Sequence, residues 1–163
     1  MRTLDEIRRL ARTGQTSDHA AVLLVGFRAT ERGIRNFRTK TEEERTAVVP
    51  PLTAVTIDKK TLALPMEKRD KSPYEDFFFV GRAVTADLVL DDPSISKSHA
   101  AFQHEGVLWY VKDARSRNGT YVDGRRLGAG ERVEIASGAQ ITFGGVATYF
   151  LDSAHFRRLV NER

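Results

Sequence analysis

The sequence predicts an all-β protein: an antiparallel β-sandwich with an N-terminal extension that contains a short helix, and with a short C-terminal helix. After Pro51, short runs rich in Val, Ile, Thr and Phe follow one another at regular spacing, which is typical of such a sandwich. In residues 107–112, Val107, Trp109 and Val111 alternate with Leu108, Tyr110 and Lys112, as in a strand with one buried face. Turn residues separate the later runs, at Glu105-Gly106, Asp123-Gly124, Ser137-Gly138 and Gly144-Gly145.

The first fifty residues predict one helix and a charged segment. Residues 3–13 carry an apolar stripe at helical spacing and precede Gly14, which can end a helix. Residues 20–27 are rich in Val and Leu and predict either a strand or a short buried helix. Residues 28–46 are highly charged, and we interpret them as a solvated helix or a mobile segment.

Pro50-Pro51 marks the expected boundary between an extension, 1–50, and the sandwich, 51–153. The last unit, 154–163, is predicted to be helical, with Ser153 as its N-cap. Its apolar stripe consists of Phe156, Leu159 and Val160.

Ten strands are predicted after the boundary. Trp109 and the three phenylalanines of 77–79 are expected in the core, because large aromatic side chains gain most from burial. The predicted strands are 52–57, 61–66, 77–80, 87–90, 100–104, 108–112, 120–122, 132–135, 140–143 and 147–151.

The composition excludes several classes of protein. Of the 163 residues, 40% are hydrophobic and 29% are charged, which suffices for one core. The absence of cysteine excludes a disulfide framework, a Cys-ligated zinc site, an iron–sulfur cluster and a Cys nucleophile. The longest apolar run, 20–26, is too short to span a membrane, and the first residues lack the apolar core of a signal peptide. We therefore expect a cytoplasmic protein with no membrane partner.

The net charge of +4 lies entirely in the first part of the chain. Residues 1–70 contain 14 Lys and Arg against 10 Asp and Glu, whereas residues 71–163 are balanced. Even in the first part the two signs alternate, which indicates a solvated surface rather than a nucleic-acid interface. A steep salt dependence of DNA or RNA binding would be needed to reverse that expectation.

No catalytic or metal site is expected. The sequence has neither a Gly-x-Ser-x-Gly elbow nor a Gly-x-x-x-x-Gly-Lys loop. Ser98 and His99 are neighbours at a loop-to-strand junction, so their side chains would diverge. The four histidines, whose spacing does not suit metal ligands, are His19, His99, His104 and His155. We therefore expect a non-enzymatic protein without a metal or a cofactor.

Three predicted loops carry the residues with binding chemistry. The first is Gly81-Arg82, the second contains Ser96-Lys97-Ser98-His99, and the third is Ser116-Arg117-Asn118-Gly119-Thr120. A guanidinium fork, a hydroxyl and an ammonium group are the donors that a phosphate needs. In this order and spacing, the three motifs resemble the forkhead-associated (FHA) domain family, over about residues 55–152. The family is a phosphothreonine-binding β-sandwich.

The resemblance implies a role for each residue. Arg82, Ser96, Lys97 and Arg117 would contact the phosphothreonine, and Asn118 would hold the peptide backbone. Gly81, His99 and Gly119 would support the site, with His99 bonding across the loops to keep Ser96 placed. Two positions depart from the family pattern. The family often has Arg where this chain has Lys97, and it often has a small hydroxyl residue or Lys where this chain has Arg117.

The resemblance implies a phosphothreonine-peptide-binding adaptor in Ser/Thr kinase signalling, with a kinase or its substrate as partner. The alternative is a phosphate-independent protein-interaction domain that uses the sandwich and the N-terminal extension. Thr39 and Thr41 lie in a charged stretch, and we state as a hypothesis that one of them is phosphorylated and binds the site of the same or another copy. The competing interpretation is that this stretch is a solvated helix face.

Overall fold

In a computed structural model of the chain, the structure describes residues 2–3, 21–25, 28–29, 51–57, 61–68 and 74–161. Within these residues it contains short strands, one 3-10 helix at Leu52–Ala54 and one α-helix, α1, at Ser153–Asn161. The strands are β1 (Arg2–Thr3), β2 (Val22–Val25), β3 (Arg28–Ala29), β4 (Val55–Thr56), β5 (Leu62–Pro65), β6 (Phe77–Gly81), β7 (Leu88–Val89), β8 (Ala100–Glu105), β9 (Leu108–Asp113), β10 (Thr120–Val122), β11 (Arg125–Arg126), β12 (Arg132–Ile135), β13 (Gln140–Phe143) and β14 (Val146–Leu151).

Two sheets form the sandwich. The seven-stranded sheet has the order β1-β5-β2-β14-β13-β10-β11, and the five-stranded sheet has the order β12-β9-β8-β6-β7. Neighbouring strands in both sheets are antiparallel except β6 and β7, which are parallel. The predicted β-sandwich with a C-terminal helix is confirmed. A separate antiparallel pair joins β3 and β4.

Aromatic side chains from both sheets fill the space between them. Phe102 of the five-stranded sheet lies 6.0 Å from both Phe143 and Phe150 of the other sheet, measured between ring centroids. Trp109 lies 5.5 Å from Phe150 and is 7% exposed, as predicted for a core residue. Such ring pairs add stability beyond their buried area, and they make the sandwich a rigid support for its loops.

Helix α1 covers the outer face of the seven-stranded sheet. Its Phe156 and Leu159 pack with Leu24 and Tyr149, so this sheet has apolar side chains on both faces. The predicted N-cap is wrong: the carboxylate of Asp152, not Ser153, accepts the N–H of His155 at 2.7 Å. Ser153 is already the first helical residue, and a cap precedes it.

Several local predictions differ from the structure. Residues 52–54 form a 3-10 helix, so the strand predicted over 52–57 is reduced to Val55–Thr56. The sequence also missed β11, because Arg125–Arg126 has no apolar residue to signal a buried face. Phe79 was expected in the core but is 39% exposed, since its neighbours in β6 take the inward positions.

The N-terminal residues take part in the sandwich. Of the two structures predicted for 20–27, the strand is observed, as β2 between β14 and β5. The predicted helix 3–13 lies outside the described residues except for Thr3, which belongs to β1. The division into 1–50, 51–153 and 154–163 stays a prediction. None of the helical segments in the described part of the chain has the length and apolarity that a membrane span requires.

Candidate functional site

Two loops are joined side by side where β6 ends. The 82–87 loop follows β6, and the 90–99 loop connects β7 to β8. The N–H of Arg82 donates to the carbonyl of Ser96 at 2.9 Å, and the N–H of Ala83 donates to the carbonyl of Lys97 at 3.2 Å. These bonds place the start of one loop against the predicted phosphate-binding residues of the other.

Gly81 permits this close approach. A Cβ added at position 81 would clash with the carbonyl oxygen of Lys97, which is backbone and cannot turn away. Gly119, in the 114–119 loop between β9 and β10, has φ of +85°, a backbone conformation that favours glycine. The geometry of the surrounding loops therefore favours glycine at both positions.

His99 links the 90–99 loop to the 114–119 loop from inside the protein. Its ring is fully buried and stands edge-on to Phe143, 5.8 Å away. Nδ1 accepts the N–H of Ser96 at 3.1 Å, which places the proton on Nε2, and Nε2 donates to the carbonyl of Gly119 at 3.0 Å. Since both ring nitrogens are engaged with backbone, His99 is not placed to take a proton from Ser98.

Ser96 is held from the other side by Arg117. The hydroxyl oxygen of Ser96 accepts the N–H of Arg117 at 3.0 Å. A hydroxyl has a single proton to donate, and accepting this bond leaves that proton for another partner. Ser96 is half-buried, so its hydroxyl lies where the three loops meet the solvent.

Asn118 also connects two loops. Its Nδ2 donates to the carbonyl of Ser94 at 2.8 Å. The Ser94 hydroxyl donates to Asp92 at 2.7 Å and accepts the N–H of Gly145 at 2.9 Å, which extends the connection to the β13–β14 turn. This places Asn118 on the rim of the same site, and its contact with a peptide backbone stays a prediction.

Asp113 organises the 114–119 loop, a role that the sequence analysis missed. One carboxylate oxygen accepts the N–H of Ser116 at 3.0 Å, and the other accepts the hydroxyls of Ser116 and Thr120, both at 2.6 Å. The Ser116 hydroxyl in turn accepts the N–H of Gly119 at 3.0 Å. An Asp three residues before a Ser, ahead of an Asn-Gly turn, is the local signal that could have found it.

The pKa of Asp113 reflects two opposing effects. Burial acts to raise the pKa, but the hydrogen bonds from Ser116 and Thr120 outweigh it and hold the pKa below the ordinary value of 3.8. The carboxylate is therefore ionised at neutral pH, which is the state that accepts all of these bonds.

We expect Asp113→Asn to lower the free energy of unfolding by about 1.5–3 kcal/mol at neutral pH, because an amide replaces a charged acceptor. With its folded pKa lowered, the carboxylate contributes stability that is present above pH 3.8 and lost as the pH falls through the folded pKa. The gap between wild type and variant should therefore narrow in acid. Urea unfolding at neutral pH and below pH 3.8 measures this, and a gap independent of pH would contradict it.

Three cationic residues adjoin Ser96 through the backbone. Arg82, Lys97 and Arg117 are all exposed, and within the described ranges none of them has an ion-pair partner. Each is placed by a backbone link: Arg82 through the Ser96 carbonyl, Arg117 through the Ser96 hydroxyl, and Lys97 by adjacency. The Nε of Arg82 also donates to the carbonyl of Ile95 at 3.2 Å, and within the described residues its two terminal nitrogens have no hydrogen-bond partner. The cluster offers donors and positive charge to an anion.

Among the described residues, no group of three or more His, Asp or Glu side chains could hold a metal ion. The site thus presents cationic and hydroxyl donors rather than ligands for a metal.

Comparison with known proteins places this site in a family. The model of the FHA domain matches residues 78–144, which include every predicted site residue of the three loops. The FHA domain-containing protein FhaB of Mycobacterium tuberculosis is 40% identical over 62 residues, which cover 38% of this chain and 40% of FhaB. The glycogen accumulation regulator GarA of Mycolicibacterium smegmatis is 35% identical over 71 residues, which cover 44% of this chain and 43% of GarA.

These alignments span about two fifths of the length of the curated relatives. Among solved structures, the FHA domain of yeast Dun1, in complex with a doubly phosphorylated peptide, matches with a TM-score of 0.51 and 21% identity. That match covers 83% of this chain and 75% of the Dun1 chain, and it shows a shared fold. Over residues 78–144, the chain matches the FHA domain family.

Proposed function

We propose that this protein is an adaptor that binds phosphothreonine peptides in Ser/Thr kinase signalling and does not catalyse a reaction. The observation that carries the proposal is that the backbone N–H groups of Arg82 and Arg117 bond to Ser96, next to Lys97. None of these three cations has an ion-pair partner in the part of the chain that is described. The family supports it, because FHA domains bind phosphothreonine peptides in signalling.

The chemistry of the cluster suits a phosphorylated side chain. Phosphothreonine carries about 1.5–2 negative charges at neutral pH and three strong acceptor oxygens. The guanidinium of Arg82 supplies a planar fork, Ser96 supplies one hydroxyl proton, and Lys97 supplies a mobile point charge. Arg117 adds a second guanidinium on the opposite loop. Four donors from three loops match one phosphate.

The hydrogen bonding of His99 supports binding without catalysis. A general base needs a free ring nitrogen within reach of the nucleophile. Both nitrogens of His99 are used to hold Ser96 and Gly119, and the hydroxyl of Ser96 accepts from Arg117. These residues act as a rigid support for a ligand.

The partner is proposed from the origin of the modification. A phosphothreonine is made by a Ser/Thr kinase, so the ligand is such a kinase after autophosphorylation or one of its substrates. The lack of cysteine suits the reducing cytoplasm, where we expect these partners. The chain itself offers a further ligand at Thr39 or Thr41, which lie outside the described residues, between the paired strands β3 and β4.

Binding to degenerate peptide libraries tests the proposal. Phosphothreonine, phosphoserine and unphosphorylated libraries are compared, together with two peptides of residues 34–46 phosphorylated at Thr39 or Thr41. We expect phosphothreonine peptides to bind at least about tenfold more tightly than unphosphorylated ones, because charge-assisted bonds are lost without the phosphate. Equal binding of all libraries would reject the proposal and favour a phosphate-independent interaction domain. Failure of the two self peptides would reject self-binding alone.

A further inference from the structure

An apolar groove lies on the outer face of the five-stranded sheet. Its volume is about 490 Å³. Tyr74 and Phe79 are 61% and 39% exposed, and the small side chain of Ala101, paired with Phe79 across β6 and β8, leaves room beside the ring. The side chains that define it are Tyr74, Phe77, Phe79, Ala101, Lys112 and Arg115.

The groove is preformed by interactions around β6. Lys68 donates to the carbonyl of Phe77 at 2.7 Å and pairs with Asp87 at 3.0 Å, while its ammonium lies 5.4 Å from the Phe79 ring. Asp87 also accepts the N–H of Phe79 at 2.9 Å. Tyr74 stands edge-on to Phe77 at 6.3 Å. Concave, partly aromatic surfaces that are already formed are the usual sites of ligand docking.

The groove adjoins the phosphothreonine site. Phe79 precedes Arg82 by three residues on the same strand and loop, and Arg115 precedes Arg117 by two. At about 3.3 Å for each extended residue, the groove begins roughly 10 Å from the phosphate-binding cations. A ligand in extended conformation crosses that distance with about three residues.

Charge divides the groove into two ends. Lys112 and Arg115, at the end nearest the phosphothreonine site, are exposed and have no ion-pair partner among the residues for which the structure is described. The carboxylate of Asp113, which also lines this end, is engaged by Ser116 and Thr120. Glu75 and Asp76, which follow Tyr74 in the sequence, are exposed just before β6 begins, at the far end. An occupant that fits is acidic near the phosphothreonine and apolar further along.

We propose that the groove is a second docking site for the same phosphoprotein. The occupant is an extended segment on either side of the phosphothreonine, with an acidic residue against Lys112 and Arg115 and a large apolar side chain against Phe79. This inference rests on the proposed function. Because the phosphothreonine and the apolar side chain belong to one ligand chain, the groove contact is intramolecular once the phosphothreonine is bound. Burial of that one apolar side chain should tighten binding by about tenfold.

The test compares short and long peptides. Short libraries carry three degenerate residues on each side of the phosphothreonine, and long libraries carry ten on each side. The dissociation constants of the selected peptides are measured for wild type, Phe79→Thr and Tyr74→Ser. Val107→Ser is the matched control, because Val107 is 90% exposed in the turn between β8 and β9 of the same sheet and does not line the groove.

We expect the selected long peptides to bind wild type about tenfold more tightly than the short ones. Phe79→Thr and Tyr74→Ser should lose this gain and bind short peptides as wild type does, and Val107→Ser should keep it. Lys112→Glu should remove the selection for acidic residues.

Equal affinity for short and long peptides in wild type would overturn the inference and leave phosphothreonine binding intact. Weaker binding of short peptides by Phe79→Thr would also overturn it, since the residue would then act through the site itself. Binding of neither peptide would overturn the proposed function. A dimer of wild type that Phe79→Thr dissociates, seen by sedimentation, would assign the groove to a second copy instead.

Discussion

Arg82→Ala is expected to weaken the binding of a selected phosphothreonine peptide by about ten- to hundredfold. The substitution removes the charge-assisted bonds of one guanidinium, which contribute about 1.5–3 kcal/mol. The backbone N–H of residue 82 still bonds to the Ser96 carbonyl, so the loop itself stays in place. Arg82→Lys should recover part of the affinity, because it restores the charge and not the planar fork. Titration calorimetry with one selected peptide measures all three proteins.

Arg158→Ala serves as the control, because Arg158 is an exposed arginine on α1, away from the three loops. It should bind like wild type. The loss at Arg82 should shrink as salt is raised, since the site is exposed. If Arg82→Ala weakened phosphorylated and unphosphorylated peptides equally, Arg82 would not contact the phosphate.

Gly81→Ala is expected to lower both stability and phosphopeptide affinity. A methyl group at this position meets the Lys97 carbonyl, so either β6 or the 90–99 loop has to move. Movement strains the bonds from Arg82 to Ser96 and from Leu90 to the Gly81 carbonyl, the latter 3.0 Å long. Overpacking of this kind costs about 1–3 kcal/mol, and each kcal/mol lowers the melting temperature by about 2–4 °C in a chain of this size.

Gly128→Ala is the matched control for this change. There the added Cβ would lie 3.4 Å from the carboxylate end of Glu131, which is an ordinary van der Waals distance. We expect Gly128→Ala to melt and bind like wild type, in thermal unfolding followed by circular dichroism and in peptide titration. Equal melting temperatures and affinities for the two alanine variants would show that the 90–99 loop does not depend on Gly81.

The positions of the strands in the sequence can be predicted from local patterns. Runs such as 108–112 and 140–143 have the apolar content of buried strands, and Gly-containing turns separate them, so their existence needs no distant contact. The three loop motifs are local too, because each consists of residues within a few positions of one another. This is why the sandwich could be predicted, and why the sequence alone is enough to propose the candidate site residues.

Pairing between distant residues could not be predicted. The β2 strand is inserted between β14 and β5. Both of these strands lie more than 35 residues away from β2 in the sequence. The sequence of β2 is compatible with a strand or a buried helix. The strand forms because its backbone groups pair with β14 on one side and with β5 on the other. Phe79 illustrates the same limit: an aromatic run predicts burial, but the pleat turns alternate side chains outward.

The candidate site combines residues whose chemistry is evident from the sequence with contacts that form only in the folded protein. Residue types and spacing predict that a phosphopeptide binds at Arg82, Ser96, Lys97, Arg117 and Asn118, because donor chemistry belongs to each side chain. These roles stay predictions. Tertiary structure alone decided that Arg117 bonds to the Ser96 hydroxyl, that Asn118 bonds to Ser94, and that an apolar groove forms on the five-stranded sheet. The physical reason is that these arrangements depend on hydrogen bonds and packing between residues about 20 or more positions apart, which form only when the two sheets close on their core.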